Sequence, residues 1–189
     1  MKKYSTFNIC VNALFLALII VSAQISIPLP GGIPFTMQTL IIPLAGILLG
    51  AKNGSMIISI YVLLGCIGIP VFAGFNGGFQ NILGPNGGFI IGFIVLALLC
   101  ALSEKVAKCF SGKLYFLILS LTIAISLTIQ LLIGTVWFAA FSNLTFKTAL
   151  LSCFIPFIPT TMVKLILIVT LTPQLKNIFA KYYSVKTRY

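Results

Sequence analysis

The sequence predicts an all-α integral membrane protein, a bundle of six transmembrane helices with both termini on the cytoplasmic side. Three observations carry this. Of the 189 residues, 60% are apolar and 7% charged, whereas soluble domains carry roughly 25% charge. The apolar residues fall into runs near the ~20 residues that cross a bilayer, separated by glycine, proline and lysine. The basic residues are distributed unequally between alternate connections. At ~20 residues per span the chain holds at most about seven helices. Residues 1–189 are therefore read as a single membrane domain, with no room for a soluble catalytic one.

The elements follow in order. Helix 1 is expected at 9–27. The lysines Lys2 and Lys3 before an apolar run resemble a signal peptide. The run exceeds the 7–15 residues of a signal core, however, and is read as a retained helix. It stops at Ile27-Pro28-Leu29-Pro30-Gly31-Gly32-Ile33-Pro34, since prolines and glycines so dense cannot continue a helix. Helix 2 is expected at 35–50, kinked at Pro43. Ala51-Lys52-Asn53-Gly54 reads as a tight turn, and helix 3 as 55–69. The stretch from Pro70 to Gly88 has six glycines and several aromatics and amides, but no charge. It is too apolar for a solvated loop and too glycine-rich for a helix. Irregular backbone at membrane depth persists where it packs on protein or lines a cavity. The stretch is thus either a loop folded over a binding site or a glycine-rich connection.

Helix 4 is expected at 89–103, followed by an inner loop from Glu104 to Lys113. Helix 5, at 114–141, is longer than a span requires and is expected to tilt or protrude. Ser142–Lys147 reads as a polar turn. Residues 148–158 are apolar, short and interrupted by Pro156 and Pro159, and read as an interfacial or re-entrant piece. Helix 6 is expected at 159–175, with Pro159 in the first turn, where its missing N–H is harmless.

With the N-terminus inside, ten of the twelve basic residues fall in inner segments: Lys2, Lys3, Lys52, Lys105, Lys108, Lys113 and the four after position 175. One, Lys147, falls outside, and Lys164 lies within helix 6. This positive-inside bias fixes the orientation and requires an even number of spans. It also reads the basic residues as headgroup anchors, not as a nucleic-acid face.

Composition excludes much chemistry. The chain has no His, no Asp and one acid, Glu104, so triads and paired carboxylates are impossible. The five cysteines form no C-x-x-C pair and read as small buried apolar residues, leaving no metal site. Gly46-Ile47-Leu48-Leu49-Gly50-Ala51-Lys52 fails the G-x-x-x-x-G-K-S/T spacing of a phosphate-binding loop. The chain is therefore read as having no ATPase of its own and no cofactor.

Four groups of residues remain as candidates. An ionisable residue inside a span is costly and usually faces a cavity or a partner. Lys164 has no acid near it in the sequence, so its counter-charge would come from a ligand; alternatively it snorkels to the outer headgroups. Thr36 and Gln38 lie near the outer start of helix 2, where they either satisfy local backbone or join a binding site. Together with Asn76, Gln80 and Asn86 of the glycine-rich stretch they would suit a neutral polar heterocycle, because amides both donate and accept. Ala13 and Ala17 form a small-x-x-x-small step of the kind that admits a close helix neighbour, or are merely alanines in an ordinary span.

Four segments carry a resemblance: Ile33-Pro34-Phe35-Thr36-Met37-Gln38-Thr39, Ala45–Gly50, Tyr61–Gly74, and Leu83-Gly84-Pro85-Asn86-Gly87-Gly88-Phe89. Over about residues 10–175 the chain resembles the BioY family, the biotin-binding membrane subunits (S-components) of energy-coupling-factor vitamin importers. The resemblance implies a six-helix bundle with an outer cavity covered by loops, and the helical spans themselves imply a bacterial cytoplasmic membrane, since outer-membrane proteins are barrels. The resemblance also implies partnership with a membrane coupling subunit and two ATPases. Ala13 and Ala17 match the helix-1 step by which S-components contact the coupling subunit. The substrate-binding residues expected on this basis are Phe35, Thr36, Gln38, Phe75, Asn76, Gln80, Gly84, Asn86, Thr161 and Lys164. The match departs from the family pattern at Pro159-Thr160-Thr161-Met162-Val163-Lys164, where the family usually has P-G-D-x-x-K. It departs again at Asn86 and Phe89, where the family usually has Thr and Tyr. Thr161 in place of the Asp keeps open an S-component for another small anionic vitamin or precursor. A structural membrane subunit without a ligand, and less readily an intramembrane enzyme, are the remaining alternatives.

Overall fold

The computed structural model describes residues 6–27 and 33–186, with side chains through position 180. The expected helix break at Pro28–Gly32 and the basic residues Lys2, Lys3 and Arg188 lie outside the described residues. Helix α1 spans Thr6–Gln24. A two-residue strand β1 (Ser26–Ile27) then pairs antiparallel with β2 (Phe35–Thr36), Ser26 opposite Thr36. Positions 25–27, expected in helix 1, thus leave the helix to form this clasp.

Helix α2 runs Gln38–Cys66 but loses helical dihedrals at Gly50 (φ 78°, ψ 172°). Two contacts show that the chain doubles back there. A Cβ added at Gly54 would lie 3.0 Å from the Gly46 Cα. The Gln38 Nε2 donates to the Tyr61 hydroxyl at 2.7 Å. In an unbroken helix those two residues would stand about 35 Å apart. The two arms of α2 are therefore two crossings. The reversal is made by one glycine in a conformation that residues with a Cβ resist. Ala51–Gly54, expected as the turn, is helical, and Pro43 stays within its helical arm. The second arm ends at Cys66 rather than 69.

After a loop comes the short α3 (Gln80–Leu83), then α4 (Gly87–Ala107) and α5 (Gly112–Phe141). The last helical run starts with α6 (Phe146–Ala149). It passes through a π-turn (Leu150–Phe154) and a 3₁₀ turn (Ile155–Phe157) into α7 (Ile158–Lys186). Residues 148–158 are thus not a separate re-entrant piece. The wide and tight turns accommodate Pro156 and Pro159, which cannot donate to the preceding turn. Pro173 is also taken into α7, which continues well past the expected end at 175.

Among the described residues five helical runs are long and apolar enough to cross a membrane. With α2 folded on itself they make a bundle of six crossings. Helix α4 is central and packs against both α2 and α5. Lipid supplies no hydrophobic drive between helices, so close approach depends on small residues. A Cβ at Gly46 would overlap the carbonyl of Ala97, one at Gly88 the side chain of Trp137, and one at Gly134 the ring of Phe89. The buried core of Ile19, Ile42, Ile57, Leu96, Leu119 and Ile123 lies between these contacts.

Glu104, expected in an inner loop, is instead in the last turn of α4 and 3% exposed. It accepts from Lys176 of α7 and, at 3.1 Å, from the Tyr115 hydroxyl of α5. Lys108 stands 3.8 Å away. The sole acid of the chain thus ties three helices together at the end opposite Gln38. A lone carboxylate there would be costly to bury; paired and hydrogen-bonded, it is held.

Candidate functional site

The other end of the bundle holds a cavity of about 410 Å³, within the roughly 300–1,000 Å³ usual for small-molecule pockets. Every crossing except α1 contributes to its wall, and the clasp adds Ser26 and Thr36. The first arm of α2 supplies Gln38 and Thr39, and the second supplies Tyr61. Helices α4 and α5 supply Phe89, Phe93, Leu127 and Gln130, and the last helical run Phe157 and Thr161. The glycine-rich stretch contributes Phe72, Ala73, Gly74, Asn76, Asn81 and Asn86. It therefore covers the site rather than merely joining two helices.

That loop is clamped by α1. The Gln24 Nε2 donates to the carbonyls of Val71 and Phe72 at 3.4 and 3.3 Å, and its Oε1 accepts from the Phe75 N–H at 2.8 Å. Phe75 takes φ 58°, a left-handed conformation uncommon for an aromatic residue. On the far side the Trp137 indole donates to the Gly84 carbonyl at 3.0 Å.

Two hydrogen-bonded relays line the wall. In the first, the Thr36 hydroxyl donates to the Gln38 Oε1 at 3.2 Å, and the Gln38 Nε2 donates to the Tyr61 oxygen at 2.7 Å. The Tyr61 oxygen is thus an acceptor within the protein, and its own O–H is left to donate. In the second, the Lys164 ammonium donates at 2.6 Å to both the Thr36 carbonyl and the Thr39 hydroxyl. It also lies 3.9 Å from the centroid of the Phe35 ring, a cation–π contact. Lys164 is 5% exposed, so it does not snorkel to the outer surface. Its sequence position hid these partners, which are more than a hundred residues away.

The structure separates the expected site residues. Thr36, Gln38, Asn76, Asn86 and Thr161 line the cavity. Lys164 and Phe35 lie just behind the wall, joined to it through Thr36 and Thr39. Phe75 is 71% exposed and turned away, because its backbone N–H is held by Gln24. Gln80 is exposed at the start of α3, and Gly84 serves as the acceptor for Trp137. Neither of them lines the cavity. Sequence reasoning missed Thr39, Tyr61, Asn81 and Gln130. Gln130 had a legible signal, an amide in the middle of an apolar span, which is costly there for the same reason as a charge.

Ala13 and Ala17 both lie on the exposed side of α1, with Leu14 and Leu18 beside them. They are far from the cavity and free to meet another helix.

A helical membrane bundle with a cavity at one end, lined by aromatic and aliphatic side chains with a few amides and hydroxyls, fits a multi-pass membrane protein that binds a small molecule. More particularly, the chain belongs to the BioY family, whose model matches residues 1–181. It is 40% identical over 165 residues to a probable biotin transporter BioY of Pyrococcus horikoshii, covering 87% of this chain and 93% of that one. It is 36% identical to the biotin transporter BioY of Thermotoga maritima, with the same coverage. The solved structure of the S-component for biotin from an ECF-type ABC transporter superposes with a TM-score of 0.82 at 28% identity, over 94% of each chain.

Proposed function

We propose that this chain is the biotin-binding S-component of an energy-coupling-factor importer, seated in a bacterial cytoplasmic membrane with its cavity open to the outer face. The observation that carries the substrate is the chemistry of the cavity wall. Biotin has an apolar bicycle, a neutral ureido group and a carboxylate on a flexible chain. The aromatic rings of Phe72, Phe89, Phe93 and Phe157 suit the bicycle, while amides and hydroxyls suit the ureido group. The carboxylate is matched by Lys164 acting through Thr39. Because the Thr39 oxygen accepts from the ammonium, its own hydroxyl is free to donate into the cavity, and the bond is strengthened by the charge behind it.

Transport needs more than this chain. Gly46–Lys52 is a helix end and a reversal, not a phosphate-binding loop, so energy would come from two separate ATPases through a membrane coupling subunit. The exposed Ala13–Ala17 step on α1 supports that seam. The basic residues gathered at the Gly50 and Ala107–Gly112 end support a cytoplasmic placement of that end and of both termini. Thr161 in the cavity wall favours a second reading, a different small anion in the same pocket. Equilibrium binding of radiolabelled biotin to the purified protein, with other anionic vitamins as competitors, tests both. Saturable biotin binding that the competitors fail to displace is the expected result. Displacement by another anion in preference to biotin would favour the second reading, and no binding of either would refute both.

A further inference from the structure

The glycine-rich loop has two faces, and the cavity accounts for only one of them. Val71, Phe72 and Ile82 are buried and turn inward. Phe75, Phe79 and Leu83, with Ile67 just ahead of the loop, are 56–74% exposed. No charged residue occurs between Lys52 and Glu104, so the loop lacks the side chains that usually solvate a surface connection. The turn at 142–147, at the same end of the bundle, instead includes Asn143, Thr145 and the exposed Lys147.

The exposed side chains continue surfaces that face lipid. Leu63 and Ile67, one turn apart, are exposed at the end of the second arm of α2, and the loop starts directly after them. Val21 and Ile25 make a similar stripe at the end of α1. Gln24 lies between them in sequence and holds the Phe75 N–H at 2.8 Å. Because α1 packs chiefly on α2, it stands at the rim of the bundle, and so does the Phe75 backbone that it fastens. The Gly78 N–H donates to the Gly65 carbonyl at 2.7 Å, which seats Phe79 beside the exposed end of α2. Phe75 adopts its left-handed backbone at a cost for an aromatic residue, and it does so with its ring outside the cavity. Grouped apolar side chains without charge among them mark an interaction surface. At the rim of a membrane bundle such side chains meet the boundary between headgroups and acyl chains.

We infer that the outer face of this loop is a membrane anchor, with Phe75 and Phe79 seated in the headgroup–acyl boundary of the leaflet on the cavity side. The partner is the lipid surface itself. The loop over the cavity is then held from two sides, by the protein wall beneath it and by lipid around its rim. The inference does not depend on which small molecule the cavity takes.

The test uses the full chain in phosphatidylcholine nanodiscs, in a cysteine-free background, with a nitroxide attached at Phe75→Cys or Phe79→Cys. Both side chains are exposed, so neither change disturbs the packed core. Power saturation compares collisions with oxygen, which concentrates in lipid, and with a neutral nickel chelate, which stays in water. Leu63→Cys gives the lipid reference and Asn143→Cys the aqueous one. Both loop positions should show an oxygen-to-chelate ratio close to that of Leu63→Cys and well above that of Asn143→Cys. A nitroxide itself favours lipid, so a second variant replaces ring by ring. Phe75→Trp, read by difference from the wild type with its single Trp137, should add blue-shifted emission that lipid brominated near the headgroup quenches and aqueous iodide does not. Chelate access equal to that of Asn143→Cys, or added emission quenched by iodide, would place this face in water and overturn the inference. Low access to both oxygen and chelate would show the face covered by protein, a second copy of the chain included, and would overturn it as well.

Discussion

Replacing Lys164 by methionine isolates the contribution of charge to substrate binding. The ammonium has three N–H groups and two neutral oxygen partners, each at 2.6 Å, with the Phe35 ring close by. None of these neutralises it. The sole acid is engaged with Lys176 at the other end of the bundle. Lys176 is itself about 18 Å further along α7 at 1.5 Å per residue, so among the described residues Lys164 sits in the protein interior without a counter-ion. A ligand carboxylate against Thr39 would stand about 5 Å from the ammonium. At an effective dielectric near 20 the attraction is roughly 3 kcal/mol. Dehydration of the carboxylate takes back part of this, leaving about 1.5–3 kcal/mol, the range of hydrogen bonds to charged groups.

Lys164→Met should therefore weaken biotin binding between about tenfold and about a hundredfold. Biotin methyl ester fills the same space without a charge, and should lose less than about threefold. The assay is equilibrium binding of both ligands to wild type and variant in nanodiscs, with the unliganded Tm as a check on folding. Equal losses for acid and ester would show that Lys164 supports packing of the Phe35 clasp rather than the carboxylate, and the electrostatic argument would fail.

Other outcomes follow from the same geometry. Ala13→Trp or Ala17→Trp should abolish uptake in cells while leaving biotin binding by the purified chain intact; normal uptake with either would remove the seam from α1. Thr161→Asp restores the family residue one turn before Lys164, and biotin affinity should stay within about threefold of wild type or improve; a loss beyond tenfold would indicate a pocket tuned to a different anion. Gly46→Ala should lower the Tm, since its Cβ would overlap the Ala97 carbonyl, and overpacking costs about 1–3 kcal/mol; an unchanged Tm would mean that α2 and α4 can separate freely. In a cysteine-free background, Asn143→Cys should react with an impermeant thiol reagent applied to intact cells and Ser111→Cys should not; the opposite pattern would invert the bundle.

How much of this was legible in the sequence divides along a physical line. A span must be apolar because lipid offers its backbone no partners, so hydropathy located the crossings within a few residues, except that the last helix runs on to Lys186, well past the expected 175. The turn between the first two crossings after the clasp was misplaced, because Lys52, Asn53 and Gly54 have turn-like composition. The reversal depends instead on one dihedral angle at Gly50, and composition does not report dihedrals. Pro156 and Pro159 misled for a related reason: a missing N–H breaks an α-helix, but π and 3₁₀ turns use different donors and carry the chain through. The site was legible where rarity marked it. A lysine in a span without a nearby acid pointed to a cavity end, and the structure places it just behind that wall. Gln130 carried a weaker form of the same mark and was passed over, because an amide becomes informative only when its partners can be counted. Its nitrogen is satisfied by a carbonyl on α4 and its oxygen by nothing among the described residues, a distinction that requires α4 and α5 to be placed side by side. The same holds for Thr161. In sequence it is a lost carboxylate. In the structure it lines the cavity one helical turn from an ammonium already held by Thr36 and Thr39. Those two threonines hold Lys164 in place without a carboxylate on its own helix, so under the proposed function its charge would remain for the ligand.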